Sequence, residues 1–303
     1  MFGWVVFGII VVLVIVLFYP GNLFKFTMWS LRRSCGLTRK QISVGKHNIV
    51  YLEGGSGPNL LLLHGFGADK DSWNRFAKHF TSTYHVIVPD LPGFGESSFF
   101  EDEEYDAENQ VRRLHDFVTA VKLDEFHLVG SSMGGKISAL YAAKHFGKVV
   151  TVTLMDAAGV QEPTQSEFNK LLEQGSNSLI VKEPSDYPDL MNFVYHNPPS
   201  FPAVIMKGLA EEAVRHYSSN IKIFDQLTAK WVWLEPVLPQ IQCKALIIWG
   251  EKDRIFDASC LKIFESGIKM SQGVVIKDCG HLPMLEMPDE SARVVEEFIR
   301  PIR

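Results

Sequence analysis

The chain has few cysteines, and none lies in a pattern that binds a metal. Four are present among 303 residues, and no two are spaced as C-x-x-C. Such spacing provides neither a disulfide framework nor a zinc motif, so we expect free thiols and no structural metal. The four positions are Cys35, Cys243, Cys260 and Cys279.

The chain also lacks a surplus of positive charge. Its formal net charge is −5, and no basic stripe is present that could neutralise phosphates, which argues against a nucleic-acid partner. The sequence contains no N-x-S/T sequon, no internal repeat and no low-complexity segment. Its length fits one sizeable domain with an insertion and an anchor, and no oligomeric state is predicted.

The start of the chain lacks charge of either sign. Residues 2–24 contain no Asp, Glu, Lys or Arg. As a helix, residues 2–19 would be about 27 Å long, close to the ~30 Å hydrocarbon core of a bilayer. We predict a transmembrane anchor at residues 1–24. A cleaved signal peptide is the alternative, but no basic residue precedes the run and no small-residue cleavage site follows it.

Five basic residues follow this apolar run within the next 16 positions. We therefore predict a basic juxtamembrane segment at residues 25–40. Under the positive-inside rule, the chain is a single-pass membrane protein whose remaining residues lie on the cytoplasmic side. The basic residues concerned are Lys25, Arg32, Arg33, Arg39 and Lys40.

Residues 130–135 read Gly-Ser-Ser-Met-Gly-Gly, between an apolar run and a helix-like stretch. G-x-S-x-G in a strand–turn–helix context is typical of a nucleophile elbow, which exposes the serine hydroxyl at a tight turn. A serine hydroxyl becomes a good nucleophile when a base takes its proton. The pattern therefore predicts Ser132 as a nucleophile, although G-x-S-x-G alone also occurs in ordinary turns.

Candidates for the acid and the base follow Ser132 in the chain. Asp253 lies just after the strand-like run 245–250, and His281 just after the run 273–276. Ligand sites form at the carboxyl ends of parallel strands, and the order Ser, Asp, His fits this type of site. We predict that His281 is the base and that Asp253 orients it. Asp156, at the end of the run 149–155, is the alternative acid.

Stabilisation of an oxyanion would need donors from a separate loop. Residues 60–67 read Leu-Leu-Leu-Leu-His-Gly-Phe-Gly, which predicts a strand that runs into a tight turn. The backbone N–H groups of Phe66 and Met133 are the predicted donors. We interpret His64 as a residue that braces this loop, and Asp90 as a carboxylate that braces the loop after the next strand.

Strand-like and helix-like segments alternate from residue 41 onwards. Buried-type strands near residues 60, 86, 128, 152, 246 and 274 predict a mainly parallel sheet with helices on both faces. Residues 159–240 break the alternation and predict a mostly helical cap, between core parts at 41–158 and 241–303. Some apolar cap residues should line an acyl pocket, although packing of the cap on the core is the alternative for each: Phe193, Phe201, Met206 and Trp231.

Several segments together resemble those of α/β-hydrolases, in the same order along the chain: residues 64–67, 89–97, 130–135, 249–253 and 280–281. More narrowly, the chain resembles the membrane-anchored monoacylglycerol lipases of the α/β-hydrolase-domain type six. The cues are residues 62–66, 71–73, 127–135, 247–250 and 279–281, together with the apolar start.

This resemblance implies that Ser132, Asp253 and His281 are the nucleophile, acid and base. It also implies an α/β-hydrolase fold, activity on acylglycerols and other esters, and no cofactor. The loop 92–100 departs from the narrower family and looks more like that of general hydrolases.

Three functions are compatible with these motifs. The leading one is hydrolysis of a lipid ester, most readily a monoacylglycerol, by an enzyme held near its membrane-dissolved substrate. The alternatives are carbon–carbon bond hydrolysis of ring-cleavage products and a general carboxylesterase activity. A non-catalytic binding protein would be expected to lack one of the three catalytic residues, and this chain has all of them.

Overall fold

The computed structural model describes residues 20–300, so most of the predicted anchor at residues 1–24 lies outside the described residues. One eight-stranded sheet has the order β1-β2-β4-β3-β5-β6-β7-β8. Strand β2 pairs antiparallel with β1 and β4, and the remaining pairs are parallel. The strands are β1 Leu37–Val44, β2 His47–Gly54, β3 Asn59–Leu63, β4 His85–Pro89, β5 Phe126–Ser131, β6 Val149–Met155, β7 Lys244–Gly250 and β8 Ser271–Ile276.

The central strands are buried on both faces, which is the reason for their continuous apolar sequence. In β3, Leu61 and Leu63 pack into one apolar core. Leu60 and Leu62 pack into a second core on the opposite face, because successive side chains of a strand alternate. The predicted mainly parallel sheet is confirmed.

Helices lie between most of the parallel strands. At the start of the helix Ala107–Ala120, the Asp106 carboxylate accepts a hydrogen bond from Asn109 N at 3.0 Å, which satisfies an N–H group at a helix start. The helices are α1 Pro20–Ser34, α2 Asn74–Ala77, α3 Ala107–Ala120, α4 Met133–Lys144, α5 Glu167–Glu173, α6 Tyr187–Val194, α7 Ala203–Arg215, α8 Tyr217–Ala229, α9 Cys260–Gly267, α10 Pro283–Glu286 and α11 Pro288–Ile299.

The segment between β6 and β7 consists of helices and loops. It contains α5 to α8 and two short 3₁₀ turns. Its two ends meet, because Leu234 N donates a hydrogen bond to Gly159 O at 2.7 Å. We call residues 159–240 the cap segment below.

The chain before β2 differs in detail from the expected boundaries. Strand β1 begins at Leu37, four residues before the predicted start of the core, and α1 occupies part of the predicted basic segment. Residues 38–41 are exposed on this edge strand, so the sequence there has no apolar alternation to reveal it. Within residues 20–300, no helix is long and apolar enough to cross a bilayer.

Candidate active site

Ser132 lies at a sharp turn between β5 and α4. Its backbone has φ 56° and ψ −118°, a conformation that a non-glycine residue rarely adopts and that marks strain at many functional sites. This is the strand–turn–helix geometry that the sequence predicts.

The glycines around Ser132 are required by close backbone contacts. A Cβ atom at Gly134 would lie 2.5 Å from the carbonyl oxygens of Leu63 and His64. A Cβ atom at Gly130 would lie 2.2 Å from Gly134 O. Neither position can accept a side chain without moving the backbone.

The Ser132 turn is clamped to the end of β6. Ser132 N donates to Met155 O at 2.9 Å, and Ala158 N donates to Ser132 O at 3.1 Å. These two partners flank Asp156 in the sequence. The clamp therefore brings the serine backbone next to the carboxyl end of β6.

Asp253 and His281 form a buried pair beside this turn. His281 Nδ1 lies 2.8 Å from Asp253 Oδ2, and Asp253 Oδ1 accepts hydrogen bonds from Ile255 N at 2.7 Å and Phe256 N at 3.2 Å. The contact to a carboxylate assigns the proton to Nδ1, which leaves Nε2 as an acceptor. This is the arrangement a base needs.

The loops that carry the pair are in direct contact. Lys252 N donates to Cys279 O at 2.8 Å, and one side-chain N or O atom from each of Asp156, Asp253 and His281 lies within 4.8 Å of the others. Since the residues that flank Asp156 are bonded to Ser132, the serine turn and the His–Asp pair converge at one edge of the sheet.

The Ser132 hydroxyl makes no hydrogen bond to His281 in the described chain. Catalytic hydrogen bonds are often long before substrate binds and tighten in the complex. The roles of Ser132, Asp253 and His281 therefore stay predictions, supported by their placement.

The same three groups Asp156, Asp253 and His281 contain donor atoms that a cation could use. However, Nδ1 of His281 and Oδ2 of Asp253 are bonded to each other. We therefore assign no metal to this cluster.

The predicted oxyanion donors lie on two sides of Ser132. A Cβ atom at Gly65 would lie 3.1 Å from Ser132 Cβ and 3.6 Å from Ser132 Oγ, so the loop that carries Phe66 borders the hydroxyl. Met133 is the first residue of α4, and its N–H group therefore has no intrahelical partner. Phe66 N makes no hydrogen bond within residues 20–300, so both predicted donors are available.

His64 braces this loop, as the sequence interpretation expects. It is fully buried, its Nδ1 lies 2.8 Å from Gly65 O, and its Nε2 accepts a hydrogen bond from Leu91 N at 2.9 Å. Asp90 has a similar bracing function, because it accepts hydrogen bonds from Lys70 N at 2.7 Å and Glu96 N at 2.8 Å.

The four predicted acyl-pocket residues lie in different environments. Phe193 and Met206 belong to an apolar cluster that also contains Ile255, two residues after Asp253. Phe201 is 38% exposed. The Trp231 ring lies 3.5 Å from Lys136 Nζ, outside that cluster. Contact of these residues with an acyl chain stays a prediction.

Glu286 is a positioning residue that the sequence did not reveal. Its carboxylate accepts hydrogen bonds from Gly280 N at 2.8 Å, Asn197 N at 2.6 Å and His196 N at 3.2 Å. It thereby ties the loop before His281 to the cap segment. No local motif marks such a residue, because its partners lie far away in the chain.

A serine at a strained turn after a central parallel strand, with a His–Asp pair in loops after later strands, defines the class of α/β-hydrolases. A family model described as "alpha/beta hydrolase fold" matches residues 58–288. The chain belongs to this family.

Several named proteins are similar to this chain along most of its length. The chain is 30% identical over 301 residues to monoacylglycerol lipase abhd6-B of Xenopus laevis, covering 95% of this chain and 89% of the relative. It is 35% identical over 254 residues to Lipase 1 of Psychrobacter immobilis, covering 82% and 80%. A solved bacterial structure, described as a membrane phospholipase A and virulence factor, is 39% identical, has a TM-score of 0.92, and covers 99% of this chain and 98% of its own.

Proposed function

We propose that this protein is a serine ester hydrolase that acts on lipid esters, with monoacylglycerols as the favoured substrates. The observation that carries this proposal is the buried His281–Asp253 pair, 2.8 Å apart, at the same sheet edge as the strained Ser132 turn. The relatives named as monoacylglycerol lipase and lipase support the lipid substrate.

In the proposed mechanism, His281 Nε2 takes the proton of Ser132 as Oγ attacks the ester carbonyl. The same imidazole then gives the proton to the departing alcohol, which leaves an acyl group on Ser132. Water, activated by His281, hydrolyses this acyl-enzyme. Asp253 holds the Nδ1–H tautomer and stabilises the imidazolium that forms in each half-reaction.

The N–H groups of Phe66 and Met133 would stabilise the oxyanion of both tetrahedral intermediates. Such donors, fixed before the reaction begins, each commonly lower the barrier by about 3 kcal/mol. The Phe66 ring packs against the rings of Phe94 and Phe224, at centroid distances of 5.8 and 5.5 Å, and these contacts also hold Phe66 in place. Because Phe224 lies on α8, the cap segment would help to fix one oxyanion donor.

The acyl chain would occupy the region between the cap segment and the catalytic loops. Phe193 and Met206 lie in the cluster that packs there, and Phe256 contacts both that cluster and the His281 ring, at a centroid distance of 5.6 Å. An apolar lining of this kind suits a hydrocarbon chain.

We propose further that the uncharged start of the chain anchors the protein in a membrane. The support is the apolar sequence of residues 2–24 and the character of α1, on which Phe26 and Trp29 are 61% and 54% exposed. Exposed aromatic residues beside basic ones suit the interface of a bilayer. Tethering would raise the local concentration of a lipid substrate without any new contact.

The proposed orientation of the protein in the membrane rests on the same segment. Lys25 and Arg33 are exposed on α1 and follow the apolar run in the sequence, so under the positive-inside rule we propose that the hydrolase lies on the cytoplasmic side. Protease treatment of sealed vesicles that hold the full chain tests this. Cleavage of the hydrolase from the external face would contradict the orientation.

The function is tested by Ser132→Ala against the matched control Ser131→Ala. Both serines are buried neighbours, but only Ser132 occupies the strained turn. We expect Ser132→Ala to lose hydrolysis of monoacylglycerols of several chain lengths and to keep its melting temperature, while Ser131→Ala stays active. Hydrolysis by Ser132→Ala at the wild-type rate would overturn the proposal.

A further inference from the structure

The proposed mechanism does not use Asp156, a fully buried residue directly after β6. Its backbone has φ 45°, a left-handed conformation that Asp tolerates better than most residues. Asp156 N donates to Ile248 O at 2.9 Å. The chain thus holds this side chain at a defined place between the Ser132 turn and β7.

The two carboxyl oxygens of Asp156 have different surroundings. Oδ1 accepts a hydrogen bond from Gly250 N at 2.8 Å. Oδ2 is buried, and no donor from residues 20–300 reaches it. An ionised oxygen in this position would be buried without a hydrogen bond, which is unfavourable. A protonated oxygen would instead act as a donor.

The groups that face Asp156 are mostly acidic. Asp253 is the nearest, since one oxygen of each carboxyl group and a nitrogen of His281 lie within 4.8 Å of one another. Glu286 on α10 and the Cys279 thiol also face it. Among these groups His281 alone can become positive, and it is already bonded to Asp253.

Burial raises the pKa of Asp156 well above its ordinary value, and the negative charge of Asp253 raises it further. Two carboxylates at one buried site rarely both ionise, because like charges there are not screened by water. The backbone N–H groups of Ile255 and Phe256 stabilise charge on Asp253, whereas Asp156 has one such donor. Asp156 is therefore the member of the pair that keeps a proton.

We propose that Asp156 is a positioning residue that stays protonated at neutral pH and donates a hydrogen bond from Oδ2 to Asp253. This inference rests on the proposed function, because it assigns Asp156 a task in the His–Asp pair. The bond fixes the carboxylate opposite Nδ1 of His281. It also withdraws charge from Asp253, which makes this carboxylate a weaker acceptor for the Nδ1 proton of His281.

The two charge states of Asp156 predict opposite effects on the pH–rate profile. The acid limb of kcat/KM reports protonation of the essential base. If Asp156 is a neutral donor, its removal makes Asp253 a stronger acceptor and moves the acid limb to higher pH. If Asp156 is an anion, its removal takes away negative charge and moves the acid limb to lower pH.

The experiment measures kcat/KM against pH with a soluble short-chain ester, for the full chain and three variants. For Asp156→Ala we expect the acid limb to rise by about one pH unit and kcat to fall about tenfold. The side-chain amide in Asp156→Asn keeps a hydrogen-bond donor of similar shape. The acid limb of this variant should therefore shift by less than half as much as that of Asp156→Ala. Asp278→Asn, an exposed acid on the same loop as His281, should match the wild type. A limb that stays in place or falls in Asp156→Ala would overturn the proposal.

A second readout does not depend on activity or on the alanine variant. Infrared difference spectra between the wild type and Asp156→Asn at neutral pH should contain the carbonyl band of one protonated carboxyl group; its absence would overturn the proposal. The proposed function and the role of Asp156 can therefore be rejected independently. Activity retained by Ser132→Ala would reject the proposed function, whereas normal Ser132 dependence without the infrared band would reject the role of Asp156 alone.

Discussion

The edge of the sheet that carries Ser132, Asp253 and His281 is built differently from the layer formed by α1 and the cap segment. At the sheet edge all three side chains are buried, and backbone hydrogen bonds fix their positions. In the outer layer, large apolar side chains face solvent, and Phe26, Trp29 and Trp233 are 61%, 54% and 50% exposed.

The sheet edge and the outer layer have different tasks. Chemistry needs groups held within narrow limits by a rigid scaffold, and the ends of parallel strands provide one. Recognition of a disordered hydrocarbon chain or a bilayer needs apolar area more than exact placement. We therefore expect substitutions at the sheet edge to change rate, and substitutions in the outer layer to change stability or substrate preference.

His281→Ala should have the largest effect. Without its base, Ser132 is a poor nucleophile, and kcat should fall by a factor on the order of 10⁴ to 10⁶. The measurement is ester hydrolysis by purified protein. His196→Ala is the matched control, because His196 is exposed and uses only its backbone N–H near the site. A loss of kcat below about 100-fold in His281→Ala would contradict the role of His281 as the base.

Phe193→Ala should strongly destabilise the protein through its cap segment. Phe193 is 7% exposed and packs in the apolar cluster, so truncation should lower the free energy of unfolding by about 3–5 kcal/mol. Phe201→Ala, at a half-exposed position, should change it by less than about 0.5 kcal/mol. Chemical denaturation of both variants tests this, and equal losses would show that exposure does not separate the two sites.

Lys136→Met should stabilise the protein, and increasingly so as pH falls. Burial lowers the pKa of Lys136 to about 7. In the described chain its Nζ has no hydrogen-bond partner and lies 3.5 Å from the centroid of the Trp231 ring. Between the unfolded value near 10.5 and pH 7, the unfolded chain binds a proton that the folded chain does not. Wild-type stability is therefore lost as pH falls through this window.

Since methionine does not titrate, the advantage of Lys136→Met should grow by about 2–4 kcal/mol between pH 10 and pH 7 and then level off. Thermal denaturation at several pH values measures it. Lys144→Met, an exposed lysine on the same helix, should show no such dependence. A pH-independent difference for Lys136→Met would mean that the buried amine stays charged.

Arg32→Met should have a smaller effect. Arg32 on α1 makes a bidentate ion pair with Asp71 at 2.7 and 2.5 Å, and Asp71 is close to the loop that carries Phe66. Loss of the cation removes two charge-assisted hydrogen bonds from Asp71, which keeps its contacts with Lys70 Nζ at 3.4 Å and Asn74 Nδ2 at 2.9 Å. This loss should cost about 1–3 kcal/mol. Arg33→Met, exposed on the same helix, should cost nothing measurable. Equal melting temperatures for the two variants would mean that α1 does not support this loop.

The sequence predicts the sheet edge well for a physical reason. Ser132 follows β5 and Asp253 follows β7, two buried strands whose apolar runs are visible locally. His281 follows the partly exposed edge strand β8, whose short run Val274–Ile276 is still apolar. Such signals need only a few consecutive residues. The central strands and the order of the site residues along the chain were therefore predictable.

The sequence predicts much less about contacts between distant segments. Glu286 binds three backbone N–H groups from two loops, and nothing near it in the sequence indicates this. The proximity of Asp156 to Asp253 depends on the pairing of β6 with β7, so the sequence could only present the two as alternatives. Apolar composition likewise could not separate buried Phe193 from half-exposed Phe201.

If Ser132, Asp253 and His281 act as one unit, the rate at which a fluorophosphonate probe labels the protein depends on all three residues. We expect the label to map to Ser132 by peptide mass analysis, and we expect Asp253→Asn and His281→Ala each to slow labelling by at least about 10³-fold. Labelling of a different residue, or of Ser132 at the wild-type rate in both variants, would contradict this expectation.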